Sequence, residues 1–123
     1  MPNISAPLTA RPTVYKGVEM RSRLEAHWAQ RLDGLGADWV YESRAFADET
    51  GQYLPDFSLS LPTERTLYLE VKAVWPEDKI PALQRRMEII WSSEPDALLM
   101  LSIGARVWIS DHDAGTWWEQ GGA

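Results

Sequence analysis

Two short runs of alternating apolar and polar residues, separated by five turn-forming residues, constrain this chain more than any other feature. From Tyr53 to Leu61, the apolar Phe57, Leu59 and Leu61 alternate with Asp56, Ser58 and Ser60, the period-two pattern of a half-buried strand. From Leu67 onward, Leu67, Leu69 and Val71 share one face, which leaves Tyr68, Glu70 and Lys72 on the other. The connection Pro62-Thr63-Glu64-Arg65-Thr66 is short and turn-rich, so the runs are expected to pair as an antiparallel hairpin. Asp56 and Glu70 then become cross-strand neighbours on the polar face. Lys72 follows Glu70 by about 7 Å, because each strand residue rises about 3.3 Å.

Two like charges directly opposite one another destabilise a hairpin unless something positive sits between them. A hard divalent cation meets that need, since Mg²⁺ takes oxygen ligands and commonly binds one or two carboxylates plus waters and substrate phosphate. Read separately, Pro55-Asp56 is a turn and Glu70-Val71-Lys72 a solvated strand face. On one hairpin face they read as a site. A third carboxylate adds to it. Ser22 to Leu35 predicts a helix with Leu24, Trp28, Leu32 and Leu35 on one stripe, ended by Gly36, and Glu25 lies at the edge of that stripe. Two roles are open to Glu25: a capping box, in which its carboxylate bonds back to the Ser22 amide, or a further acid at the metal.

The three segments Ser22-Arg23-Leu24-Glu25-Ala26, Tyr53-Leu54-Pro55-Asp56-Phe57 and Leu69-Glu70-Val71-Lys72 resemble, in order and spacing, the PD-(D/E)XK nuclease superfamily with its restriction-endonuclease-like fold. The pattern is similar to that of small phage-encoded nucleases and of the end-cleaving endonucleases of some bacterial transposons, and it spans roughly Tyr15 to Ile103. The resemblance implies that Asp56 and Glu70 bind Mg²⁺, for which Mn²⁺ substitutes, and that the Val71 carbonyl adds a ligand. It further implies that Lys72 orients the attacking water and that Glu25 reaches the metal directly or through water. Gln84, on the next helix, matches a position where many relatives carry a polar residue near the site.

The remaining sequence is expected to form one domain, from residue 15 to 123, behind a mobile N-terminal arm of residues 1–14 that carries Pro2, Pro7 and Pro12. At 123 residues the chain suffices for a single core, and seven Trp supply much of its apolar surface. There are no cysteines, which excludes disulfides and thiolate metal sites. No long apolar run suggests a signal or membrane segment, so the expected setting is the cytoplasm of a bacterial or phage-infected cell. The predicted order is a helix from Ser22, strands near Trp39–Ser43, Tyr53–Leu61 and Leu67–Val71, a helix entered at Pro76, a buried strand over Ala97–Ile103, and a terminal hairpin. Asp48-Glu49-Thr50-Gly51 reads as the loop between the first two strands. In the second helix Pro81 limits the regular part to Ala82–Trp91, with Leu83, Met87, Ile90 and Trp91 on its apolar face. The hairpin strands, Arg106–Ser110 and Thr116–Glu119, flank Asp111-His112-Asp113, which reads as a turn rather than a metal site. This is an α/β core, a mixed β-sheet flanked by helices.

Net charge is −6, which argues against nonspecific nucleic-acid binding, but its distribution is uneven. Residues 1–31 carry five basic residues (Arg11, Lys16, Arg21, Arg23, Arg31) against Glu19 and Glu25, while the remainder carries seven basic and sixteen acidic. Lys16, Arg21 and Arg23, around the first helix, are the expected phosphate contacts. The expected function is a Mg²⁺-dependent DNA endonuclease. The alternatives are a noncatalytic DNA-binding or assembly subunit that keeps the fold, and a structural domain with a fortuitous motif. One site cuts one strand per encounter, so duplex cleavage implies a homodimer or a partner protein.

Overall fold

In the computed structural model, which describes residues 12–121, ten strands and two helices follow one another. They are β1 (Thr13–Tyr15), β2 (Val18–Met20), α1 (Arg23–Gly34), β3 (Asp38–Tyr41), β4 (Phe46–Asp48), β5 (Gly51–Tyr53), β6 (Phe57–Ser60), β7 (Thr66–Lys72), α2 (Ile80–Met87), β8 (Leu98–Ile103), β9 (Arg106–Asp111) and β10 (Trp117–Glu119). Six strands form a mixed sheet in the order β10-β9-β8-β7-β6-β3, in which only β7 and β8 are parallel. A parallel pair requires a crossover, and α2 with a 3₁₀ turn on each side supplies it.

α1 packs on one face of the sheet, burying Ala26, Ala29 and Leu32 against Phe57, Leu59, Leu69 and Val71. The second helical segment packs on the other, setting Leu83, Met87 and Ile90 against Tyr68, Leu99 and Leu101. β7 therefore has a neighbour on each side and a layer on each face. For this reason Tyr68 and Glu70, which alternation placed on the polar face of the hairpin, are buried.

The β6–β7 register pairs Phe57 with Leu69, as the hairpin predicted, but Asp56 stands in the bend before β6 rather than within the strand. α1 begins one residue after Ser22, whose hydroxyl caps the Glu25 amide. The segment Asp48-Glu49-Thr50-Gly51, expected as a plain loop, is the tip of a β4–β5 hairpin forming its own two-stranded sheet. Of the expected arm, residues 1–11 lie outside the described residues, whereas Thr13 and Val14 belong to β1 and pair with β2. Three-residue strands offer too little alternation to be recognised. The second helix is regular only from Ile80 to Met87, with 3₁₀ turns before and after. Asp111 accepts the Ala114 amide at 2.7 Å and the His112 ring stacks on Trp91, in keeping with a turn.

Two contacts steady the ends of the layers. In the β8–β9 turn Gly104 has φ +58°, its amide donates to the Lys72 carbonyl at 2.9 Å, and a Cβ there would lie 3.3 Å from the Ala73 carbonyl. This fixes the exit of β7. At the other side Asp33 of α1 accepts from the Tyr15 hydroxyl at 2.6 Å and the Trp39 indole at 2.8 Å, and pairs with Lys16 at 2.9 Å. Those bonds, the Tyr15 one foremost, hold its carboxyl down at about 2, from an ordinary 3.8. A depressed carboxyl contributes stability only while ionised, so Asp33→Ala is expected to lower the melting temperature at neutral pH. The deficit should fade as pH falls from about 4 through 2. Identical melting curves at pH 7 would show that this carboxylate does not hold the β1–β2 hairpin. Among the described residues, no helix is long and apolar enough to cross a membrane.

Candidate active site

The site lies where β6 ends and β7 continues. Ladder pairing between these strands stops at Phe57 and Leu69, so the next amide of β7 facing β6, that of Val71, needs another partner. Asp56 provides it: Oδ2 accepts from Val71 N at 2.8 Å, and the side chain is only 2 % exposed. Glu70, also buried, accepts from the Tyr53 hydroxyl at 2.5 Å through Oε1 and lies 3.2 Å from Lys72 Nζ through Oε2. Burial, then the charge of Glu70, pushes the Tyr53 phenol well above its ordinary range, which keeps it a donor. Asp56, Glu70, Val71 and Lys72 are thus brought together.

Glu25 joins them from α1, though not as the full capping box. Ser22 Oγ accepts from the Glu25 amide at 3.2 Å, but the Glu25 carboxylate bonds to the Ser22 hydroxyl at 3.0 Å instead of the Ser22 amide. Its second oxygen accepts from the Tyr41 hydroxyl at 2.9 Å. Arg21, between β2 and α1, ties the group together: Nη2 is 2.7 Å from Asp56 Oδ1 and 3.4 Å from Glu25 Oε2, and Nε is 3.0 Å from Glu42. Its side chain is 63 % exposed, so the guanidinium reaches inward from solvent.

Arg21 and the Val71 amide both favour ionised Asp56. Burial, and after it the charges of Glu70 and Glu25, outweigh them and raise the Asp56 carboxyl far above the carboxylate range. Three carboxyl groups, Asp56, Glu70 and Glu25, thus face two cations, Arg21 and Lys72, with the Asp56 proton making up the balance until a bound cation replaces it. Hard oxygen donors suit Mg²⁺, which needs only one or two carboxylates because waters and phosphate complete its shell. Among the described residues no group of three or more His, Asp or Glu side chains is arranged to hold a metal ion by itself. Glu25 is engaged by Ser22, Tyr41 and Arg21, Asp56 by Arg21 and the Val71 amide, and Glu70 by Tyr53 and Lys72, so a cation held by these carboxylates would displace the basic side chains from them.

The expected phosphate contacts are not brought together. Lys16 pairs with Asp33, Arg21 sits among the carboxylates, and Arg23, the first residue of α1, lines neither cavity beside the site. Gln84 lines neither cavity as well. Those cavities, of about 560 and 400 Å³, are both bounded by Arg21, Lys72 and Trp75. Sequence reasoning missed Tyr41, Tyr53 and Trp75, and also Lys79 and Arg86, which line the larger cavity with Leu83 between them. The spacing of Lys79, Leu83 and Arg86 on one helical face was the available signal. No family model matches this chain, and no curated protein matches it.

Proposed function

We propose that the chain is a Mg²⁺-dependent DNA endonuclease with a restriction-endonuclease-like core of the PD-(D/E)XK type. The observation that carries this reading is the convergence of Asp56 and Glu70 at the end of β7, with Lys72 Nζ 3.2 Å from Glu70 and Arg21 Nη2 2.7 Å from Asp56. Asp56, Glu70 and the Val71 carbonyl would hold the cation, with Glu25 acting directly or through water. When bound, Mg²⁺ supplies Lewis-acid stabilisation of the phosphate and acidifies a water. Lys72 orients that water and stabilises the charge that develops on the phosphate. Tyr53 fixes the Glu70 carboxylate, and Tyr41 fixes Glu25. Arg21 holds Asp56 from a solvent-exposed position, from which it can turn to a substrate phosphate.

Purified protein incubated with labelled DNA is expected to cleave in Mg²⁺ or Mn²⁺ and to be inert in chelator. Absence of cleavage on single-stranded, flapped, branched and duplex DNA alike would overturn the reading. The alternative, a noncatalytic DNA-binding or assembly subunit on the same fold, draws on the Arg21 contacts, which partner Asp56 and Glu25. It requires DNA binding without cleavage and without stabilisation by Mg²⁺.

Glu25→Gln separates its two roles. The Ser22 hydroxyl still caps the residue-25 amide, and the amide oxygen of Gln can accept from Ser22 or Tyr41, so the melting temperature should hardly change. Turnover should fall about 10- to 100-fold, the usual loss for a residue supporting a metal site. Parent-like turnover in a folded variant would leave Glu25 with a structural role alone.

A further inference from the structure

The two cavities at the end of β7 share Arg21, Lys72 and Trp75, and differ in the carboxylates they expose: Glu70 in the larger, Glu25 and Asp56 in the smaller. Trp75 therefore stands between two concavities that border the same proposed metal donors. The larger is lined by four cations, of which Arg21 and Lys72 pair with Asp56, Glu25 and Glu70 while Lys79 and Arg86 enter no ion pair among the described residues, in a chain whose net charge is −6. Its positive character is local, and an anionic ligand would be drawn to this groove rather than to the surface at large.

Trp75 is built to present an aromatic surface there. Its indole N–H donates to the Lys79 carbonyl at 3.3 Å, and the Lys72 ammonium lies 4.8 Å from a ring centroid, so the half-buried ring is oriented from two sides. Apolar side chains lie next to it or on the cavity wall: Val74 is 81 % exposed, and Leu54, which lines the larger cavity, is 39 % exposed. Cations with an aromatic platform are the combination that binds single-stranded nucleic acid, phosphates to the cations and a base to the ring. A base paired and stacked within a duplex does not enter a concavity of this size without being extruded.

We propose that Trp75 stacks an unpaired nucleotide beside the scissile phosphate, so that the preferred substrate is DNA that is single-stranded at the cleavage point. This inference rests on the nuclease reading for the position of the scissile phosphate, while the binding it requires does not depend on cleavage.

The test measures affinity by fluorescence anisotropy in chelator, using a labelled single-stranded oligonucleotide and a blunt hairpin duplex of the same sequence. The parent should favour the single strand. Trp75→Ala should weaken single-strand binding about 5- to 150-fold, the range that loss of one aromatic stack produces, and change duplex binding little. Trp75→Phe, which keeps a ring, should restore most of the affinity, whereas Trp75→Leu, which keeps apolar bulk alone, should not. This pair decides the matter even if the alanine variant is too unstable to use. Equal affinities for single strand and duplex in the parent, equal losses on both DNAs, or restoration by Leu as complete as by Phe would each overturn the proposal. Cleavage by the parent in Mg²⁺ is measured alongside on the same DNAs. Cleavage without the Trp75 effect overturns this inference and leaves the nuclease; the Trp75 effect without cleavage overturns the nuclease and leaves a single-strand binding site.

Discussion

Asp56→Asn is expected to leave a folded protein that cuts DNA about a thousandfold more slowly than the parent, since losing a metal ligand removes several kcal/mol of transition-state stabilisation. The substitution is nearly isosteric, and an Asn oxygen can still accept the Val71 amide, so the end of β7 keeps its bond. What it loses is the charge that a hard cation requires. Glu70→Gln and Lys72→Ala should behave alike, the first by weakening the same donor set, the second by removing the ammonium that faces it at 3.2 Å. Single-turnover cleavage rates, set beside melting curves for each variant, measure this. A folded Asp56→Asn protein with the parent's rate would remove Asp56 from the metal site.

The same substitution should stabilise the metal-free protein, and increasingly so as pH rises. Burial, followed by Glu70 and Glu25, lifts the Asp56 carboxyl from 3.8 to about 9 in the folded chain. Between those values the unfolded chain has lost the proton and the native chain retains it, so parental stability falls with rising pH. Below the window both states are protonated and nothing is lost. Asn does not titrate. In chelator the melting temperatures of parent and Asp56→Asn should therefore meet near pH 4 and separate towards pH 9, with about 1.4 kcal/mol per pH unit as the upper bound on the slope. Mg²⁺ should narrow the gap by stabilising the parent by about 2.7 kcal/mol at a hundredfold excess over Kd, and the variant far less. Equal Mg²⁺-induced shifts in the two proteins, or a gap in chelator that does not widen with pH, would contradict the assignment.

Within the sheet β6 and β7 could be read from period-two alternation, β8 from its nearly continuous apolar run, and β9 and β10 from the turn between them. The β6–β7 register followed from the short turn between them and set Asp56 level with Glu70. The β1–β2 and β4–β5 hairpins could not be read, since three residues show no period and their turns resemble loops. Alternation reports which residues share a face and says nothing of what covers that face, here Tyr53 and the α2 layer over Glu70. The carboxylates and lysine of the site stood out because their chemistry is local in sequence. Tyr41 and Tyr53 did not, because their partners lie 16 and 17 positions away, and Arg21 was read only as a phosphate contact because Asp56 lies 35 positions from it. The basic groove was hidden for the same reason: Lys79, in the 3₁₀ turn before α2, and Arg86, within α2, belong to a segment whose sequence reads as an ordinary amphipathic surface.

The bond from Val71 N to Asp56 makes one rung of the sheet depend on a side chain whose ionisation varies. Elsewhere along β7 the main chain is secured by other main chain, indifferent to pH and to ligands. At Val71 the acceptor is stronger when Asp56 is charged and weaker when it is protonated, so exchange of that single amide with solvent reports the state of the carboxylate. The sheet thus contains its own spectroscopic probe, readable in a protein with no substrate present. A hydrogen-exchange experiment at this amide would follow protons and cations entering the site at a resolution that melting curves, which average over the whole chain, do not reach.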